Sequence, residues 1–323
     1  MAVLANDALG NFVACTPLLQ MIRAQWRPSC LDFFGGERTQ ELECASDLID
    51  ARGSLFGLDV RRAARGLLER APYDVVVNLE GGALARAFVG VASGESSWVV
   101  GPALNAEGRG ELAAQEDGRG RLLLDSDWTA ADLVERYPFL ESGFIGEIWA
   151  RLAYLEGPLP AYEVACEPAG RAVPPVLVSA AASLSEKLWP TEKWREVLGL
   201  LRSRGLLVGL LGAKPRDQAR YWTGGCTEES WVQDGLVEDL RGVFRLPQVV
   251  GALREARLLV SLDNGVLHLA AAAGTPTVGL FRHGIHRLWA PPVRQLTVLT
   301  PGEGRAVEEI PVEAVWEAAS RAL

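Results

Sequence analysis

The sequence predicts an α/β protein made of two tandem open sheets of parallel strands, on three observations. Its 323 residues exceed the size at which a single hydrophobic core stops growing, so two domains of about 150 residues are expected. Short apolar, β-branched runs alternate with helix-periodic segments, the rhythm of parallel strands joined by crossover helices on both sheet faces. A stretch punctuated by Pro and Gly over 157–175 breaks that rhythm midway, and the rhythm then restarts.

In the first half, residues 2–5 read as a strand, 12–26 as a helix after a polar Gly-containing turn, and 31–34 as a second strand. A helical pattern covers 60–70, and 73–79 (YDVVVNL) is a continuous β-branched run of the kind buried on both faces of a sheet. Residues 127–156 look helical and aromatic-rich. The expected division is 1–160, a linker at 161–175, and 176–323. In the second half, strands are expected at 175–179, 206–211, 257–262, 277–281 and 295–299. Helices are expected at 191–204 and 246–255, and a closing helix at 312–322 is expected to pack back on the first domain.

Composition sets limits. A formal net charge of −9 argues against nucleic-acid binding, which needs a basic surface. The local groups Arg61, Arg62, Arg65 and Arg109, Arg119, Arg121 read as solvated faces or loops. No run approaches the roughly 20 apolar residues that span a bilayer, and the N-terminus lacks a basic segment before an apolar core, so a cytoplasmic protein is expected. Cys15, Cys30, Cys44, Cys166 and Cys226 are odd in number and widely spread, which fits small core residues better than disulfides or a zinc site. No carboxylate cluster suited to a catalytic metal is visible, and no cofactor is expected.

The most informative stretch is 258–281, LLVSLDNGVLHLAAAAGTPTVGLF, a strand, tight turn, helix, turn and strand. Asp263, Asn264 and Gly265 stand where a parallel strand ends and a helix begins, the place where open α/β sheets bind ligands and helix-start amides hold phosphate. His268 follows Asp263 by five residues and can face the same ligand. The same spacing also fits an aspartate that caps the helix and a histidine satisfied within the core. Upstream, 183–190 (SLSEKLWP) supplies hydroxyls at Ser183 and Ser185 and a mobile cation at Lys187, the two kinds of partner a diphosphate needs.

The first stretch closely resembles the D-S-G-x-x-H-x-A-A-A-x-G-x-P signature of glycosyltransferase family 9, the bacterial ADP-heptose–lipopolysaccharide heptosyltransferases, with Asn264 where the family often has Ser or Thr. The second resembles that family's loop of small hydroxyl residues, Lys, Trp and Pro. Residues 210–217 (LLGAKPRD) look like the loop whose acidic residue contacts the donor ribose, which makes Asp217 the candidate, and 240–242 would flank the base. Near the N-terminus, 9–18 (LGNFVACTPL) resembles the family's L-G-D-x-x-x-x-x-P segment, with Asn11 in place of the aspartate regarded as general base. An amide cannot take that proton. Asp7, on the same loop, is the alternative, set against an ordinary role as a turn or capping aspartate. His283 and His286 follow the last motif strand and carry no assigned role.

The resemblance implies a GT-B fold, two Rossmann-like doubly wound domains facing a cleft. It also implies metal-independent, inverting transfer of a heptose from ADP-heptose to a glycan or lipopolysaccharide core. Donor contacts fall to Ser183, Lys187, Asp217, Asp263, Asn264, Gly265 and His268, and catalytic ones to Asn11, Asp7 and His268. The expected partners are that nucleotide sugar and a glycan or lipid-linked glycan; a monomer with at most peripheral membrane contact is expected. The alternatives are a non-catalytic sugar-nucleotide or glycan-binding member that lost its base at Asn11, and a nucleotide-sugar epimerase of the same fold. A purely structural α/β protein is disfavoured by two matching strand ends.

Overall fold

The computed structural model describes the chain except residues 58, 106–107 and 222–224, and except the side chains of 219–221 and 225–227, among them Cys226. The chain divides into two compact units, Met1–Glu163 and Val164–Leu323.

The first unit runs β1 (Ala2–Leu4), α1 (Leu9–Gln25), β2 (Asp32–Gly36), α2 (Gln40–Cys44), β3 (Ala51–Phe56), α3 (Val60–Leu68), β4 (Tyr73–Asn78), α4 (Ala83–Ala92) and β5 (Ser93–Val100), followed by α5 (Gly118–Leu124), α6 (Leu133–Arg136) and α7 (Ile145–Leu152). Its five strands are all parallel in the order β3-β2-β1-β4-β5. The order reverses between β1 and β4. Leu4, Phe34, Leu55, Leu67, Val76 and Phe88 lie in its core. Pro17 sits inside α1 and removes the amide that would reach the Val13 carbonyl, and the Thr16 hydroxyl donates to that carbonyl at 2.9 Å instead.

The expected helix over 127–156 is two short pieces, α6 and α7, because its aromatic residues anchor loops rather than form a continuous stripe. Trp128 Nε1 donates to the Leu122 carbonyl at 2.8 Å, and the Tyr137 hydroxyl donates to Asp125 at 2.8 Å. Arg61, Arg62 and Arg65 line the exposed face of α3, whereas Arg119 lies over Tyr154 at 4.6 Å. Among the described residues only Cys15 is a core thiol: Cys30 and Cys44 are exposed and Cys166 is half-buried, and Cys226 lies outside the described side chains.

The second unit runs β6 (Val176–Ser179), α8 (Thr191–Ser203), β7 (Val208–Leu210), α9 (Pro215–Tyr221), α10 (Gly225–Gln233), β8 (Glu238–Asp239), α11 (Leu246–Glu255), β9 (Leu258–Leu262), α12 (Gly265–Ala273), β10 (Thr277–Leu280), α13 (Ile285–Trp289), β11 (Leu296–Leu299) and α14 (Val312–Ala322). Its parallel sheet has the order β11-β10-β9-β6-β7-β8, which reverses between β6 and β9. The near-continuous apolar runs of β6 and β9 follow from burial on both faces. Trp194 packs between Trp189 and Trp231, with ring centroids 5.3 and 5.9 Å away. Val312, Val315, Ala318 and Ala319 of α14 join this core. Among the described residues no helix is long and apolar enough to cross a membrane.

Candidate active site

Ligands of open parallel sheets bind outside the carboxyl ends of the strands where the strand order reverses. In the second unit that place lies between the loops leaving β6 and β9. The loop after β6 forms a turn of 3-10 helix, Ser185–Lys187, which carries the lysine over to the end of β9. Lys187 Nζ lies 2.7 Å from Asp263 Oδ2, with both side chains largely buried. The contact is close but off the hydrogen-bond line. Nζ donates instead to the Asp263 carbonyl at 3.3 Å, and Oδ2 is left without a hydrogen-bond partner.

Asn264 is the N-cap of α12, its backbone extended and its Oδ1 accepting from the amides of Val266 at 2.9 Å and Leu267 at 3.3 Å. Its Nδ2 donates to Ser179 Oγ at 3.1 Å and to the Ala181 carbonyl at 2.9 Å. One carboxamide therefore caps the helix and ties the end of β6 to the end of β9. Serine or threonine could supply the cap without the tie. Gly265 opens the helix, and Gly274, at φ 77°, ends it in the left-handed conformation that favours glycine.

His268, one turn into α12, is 2% exposed, and its Nδ1 has no hydrogen-bond partner among the described residues. Burial lowers its pKa to about 4; the nearby Asp263 raises it and Lys187 lowers it further. The imidazole is thus neutral near pH 7, a hydrogen-bonding group but a weak general base. Trp289 meets it edge to face, with ring centroids 6.4 Å apart.

Ser183 is exposed on the same loop as Lys187. Glu186 of that loop pairs with Arg282, which follows β10, so three neighbouring strand ends converge. Asp217 stands exposed in the first turn of α9, after β7, and the structure records no contact between it and this group. Beyond β8, Gly242 (φ 65°) donates its amide to the Gly212 carbonyl at 2.9 Å, closing the segment that would flank a base against the loop after β7. Arg241, which the sequence did not single out, holds that segment from within. Its guanidinium makes paired 2.8 Å bonds to both Asp239 oxygens and also meets Glu228 and Glu229. Burial raises the Glu228 carboxyl above its ordinary range.

The first unit has a second such place, between β1 and β4. Asn11 lies in the first turn of α1, not in a loop. Asp7, in the loop after β1, packs against Gly36 and lies 3.8 Å from Arg38. Between them stands a residue that sequence reasoning missed: Glu80, just past the end of β4. Its Oε1 accepts from Asn6 Nδ2 at 2.6 Å, and the nearby Asn11 side chain favours the charged form of the same carboxylate. Cys15, on the buried side of α1, is no nucleophile. Burial pushes its thiol well up, and Sγ donates to the Phe12 carbonyl at 3.0 Å. Among the described residues no group of three His, Cys, Asp or Glu side chains is placed to hold a metal ion.

The chain is 30% identical over 102 residues to lipopolysaccharide heptosyltransferase 1 of Salmonella typhimurium, a match covering 31% of this chain and 30% of that protein. It is 28% identical over 118 residues to lipopolysaccharide heptosyltransferase 3 of Escherichia coli, covering 36% and 33%. The chain thus spans about a third of the length of the curated relatives it matches. Among solved structures, a family 9 glycosyltransferase from Veillonella parvula superposes with a TM-score of 0.74 at 16% identity, covering 99% of this chain and 96% of that one. The E. coli heptosyltransferase WaaC with ADP gives 0.65 at 18% identity, with full coverage of both. The fold is therefore GT-B, two Rossmann-like doubly wound domains. The sequence model for glycosyltransferase family 9 (heptosyltransferase) matches residues 61–309, and the chain belongs to that family.

Proposed function

We propose that the protein transfers a heptose, with inversion and without a metal, from ADP-heptose to a hydroxyl of a lipopolysaccharide core or related glycan. The observation that carries this reading is the Lys187–Asp263 pair at the strand-order reversal of the second sheet, beside the Gly265 helix start and the buried neutral His268. The relatives support the donor and acceptor classes: they include lipopolysaccharide heptosyltransferases, and the similar E. coli heptosyltransferase WaaC is solved with ADP and with ADP-2-deoxy-2-fluoro heptose.

In this mechanism the acceptor oxygen attacks the anomeric carbon from the face opposite the diphosphate. The bond from that carbon to the phosphate oxygen breaks, and the electron pair leaves with ADP. Lys187 turns from Asp263 toward the departing diphosphate, because a cation placed where negative charge develops acts more strongly on the transition state than on the ground state. The Gly265 amide adds to it. Asp263 and His268 orient the sugar and diphosphate, Ser183 offers a hydroxyl to phosphate, and Asp217 takes the ribose. The protein works as a monomer in the cytoplasm at the inner membrane face, where a water-soluble sugar nucleotide and a lipid-linked glycan meet.

A second reading rests on Asn11. With an amide where the family's aspartate stands, the chain would bind donor and not turn it over. Calorimetric titration with ADP, GDP, UDP and dTDP, followed by release of ADP from ADP-heptose with heptose-deficient lipopolysaccharide, separates the two. Selective micromolar ADP binding with transfer is expected. Binding without transfer supports the second reading, and failure to bind ADP sinks both.

A further inference from the structure

We propose that Glu80 is the general base that takes the proton of the acceptor hydroxyl, the carboxylate at position 80 replacing one at position 11. This rests on the transferase reading above. Its basis is the first sheet, whose strand order β3-β2-β1-β4-β5 reverses between β1 and β4. Glu80 leaves the carboxyl end of β4 beside the loop that leaves β1, the position in the first unit that Lys187 and Asp263 occupy in the second.

The residue is held as a catalytic group needs to be. The Leu79 amide continues the ladder to the Leu4 carbonyl at 2.9 Å. Asn78 then fixes the Glu80 backbone from both sides: its Oδ1 accepts the Glu80 amide at 3.1 Å, and its Nδ2 donates to the Glu80 carbonyl at 2.8 Å and to the Pro102 carbonyl at 2.6 Å. The carboxylate is aimed by the Asn6 side-chain amide. Asn6 Oδ1 accepts the Ala8 amide at 2.8 Å, which forces Asn6 Nδ2 toward Glu80 Oε1. The Asn6 backbone and the Asn11 side chain both favour the charged form of the same group. A carboxylate has about four lone-pair positions, so the Asn6 amide orients it and leaves positions for the acceptor hydroxyl.

Asn11 fits this arrangement and aspartate would not. A second carboxylate beside Glu80 at position 11 would favour protonation of one of the two, whereas an amide there adds no competing charge. Burial, with Asp7 adding to it, raises the Glu80 carboxyl above the ordinary glutamate range, the direction that makes it a stronger base. In the step, the acceptor O–H proton passes to Glu80, the oxygen bonds the anomeric carbon, and ADP leaves with the electron pair of the broken bond.

The test uses full-length protein with ADP-heptose and heptose-deficient lipopolysaccharide, and compares Glu80→Gln, Asn11→Asp and their double variant with wild type. Glu80→Gln is expected to lower kcat by about 10²–10⁴-fold while ADP affinity by calorimetry stays within about threefold. It should also abolish the acid limb of the kcat/KM profile, which a merely structural carboxylate would leave in place. Asn11→Asp in the Glu80→Gln background should restore at least about tenfold of the lost rate. Wild-type turnover and an intact acid limb in Glu80→Gln overturn the assignment, and so does an Asp7→Asn variant that alone removes the limb. Wild-type protein that binds ADP but never transfers overturns it as well. Loss of ADP binding in wild type is a separate failure, that of the transferase reading itself.

Discussion

The two sheets solve one topological problem twice with different chemistry. Each reverses its strand order once and brings the loops of two adjacent strands together at that point. In the second unit those loops supply opposite charges, Lys187 against Asp263. In the first, the loop after β4 supplies Glu80 against Asn6 of the loop after β1 and Asn11 of the helix that follows it. A lysine whose partner can be exchanged suits an incoming anion. A carboxylate held by neutral donors keeps its charge for a proton. The backbone provides the meeting place, and a few loop residues decide what is done there.

The contrast breaks most visibly at Lys187. Lys187→Met should cut transfer by about 10²–10³-fold, the scale for removing one donor aimed at developing charge. ADP affinity should weaken by about 10–150-fold, as about 1.5–3 kcal/mol per charged hydrogen bond implies. Because the change strands Asp263, buried and unpaired, the Lys187→Met/Asp263→Asn pair should recover stability but not ADP binding. Steady-state kinetics, calorimetry and urea melts read the three quantities, and unchanged ADP binding would remove the second unit from the comparison.

Acid sharpens it next, with opposite signs in the two units. His268 has a folded pKa of about 4 against an ordinary 6.5, so between those values the unfolded chain takes up a proton that the folded chain refuses. Its contribution is complete above pH 6.5 and is lost as pH falls toward 4, by about 3 kcal/mol at 1.36 kcal/mol per pH unit. Glu80 is raised when folded, so its contribution is present below the ordinary glutamate range and is lost as pH rises through its folded value. Urea midpoints from pH 7 down to 4.5 should therefore fall less steeply in His268→Gln than in wild type. In Glu80→Gln the midpoint should rise at pH 7. A parallel pH dependence in His268→Gln and wild type would contradict the buried neutral imidazole.

The smallest effect separates the two jobs of Asn264. Asn264→Ala should cost about 0.5–2 kcal/mol, the range for losing a cap, and Asn264→Ser less, since serine keeps the cap oxygen and gives up only the tie to Ser179 and Ala181. Thermal melts of the two variants decide it, and equal losses would show that the tie, not the cap, holds the loop.

Legibility followed the same divide. The second site was readable because Asp263, Asn264, Gly265 and His268 lie within six consecutive residues at a strand-to-helix change, and Lys187 sits in a short loop of recognisable composition. The first was read only as Asn11 in place of an aspartate, with Asp7 as the alternative. Glu80 stands 69 residues from Asn11, and no local pattern ties a glutamate after one strand to a helix after another. Strand β5 escaped for a different reason: its sequence SGESSWVV is mostly half-buried or exposed, so it presents neither an apolar run nor a clean alternation. The sequence pattern of the closing helix says that one face is covered and not by which sheet; the structure puts Val312, Val315, Ala318 and Ala319 in the second unit's core. Arg241 was invisible because its partners come from α10 and β8, elements that sequence pattern did not mark.

The cap of α12 has one more consequence, for the ageing of the protein. Asn264 precedes Gly265, and an asparagine before glycine is prone to lose its amide nitrogen, because the next backbone nitrogen attacks the carboxamide carbon with no side chain in the way. Here that carboxamide is clamped by the amides of Val266 and Leu267 on one side and by Ser179 and Ala181 on the other. The native loop thus keeps its own weakest bond out of reach, and deamidation at this position marks molecules in which the loop has opened. Each such event would leave a second negative charge beside Asp263, so stored protein should lose affinity for anions in step with the deamidated fraction that peptide mapping finds at Asn264.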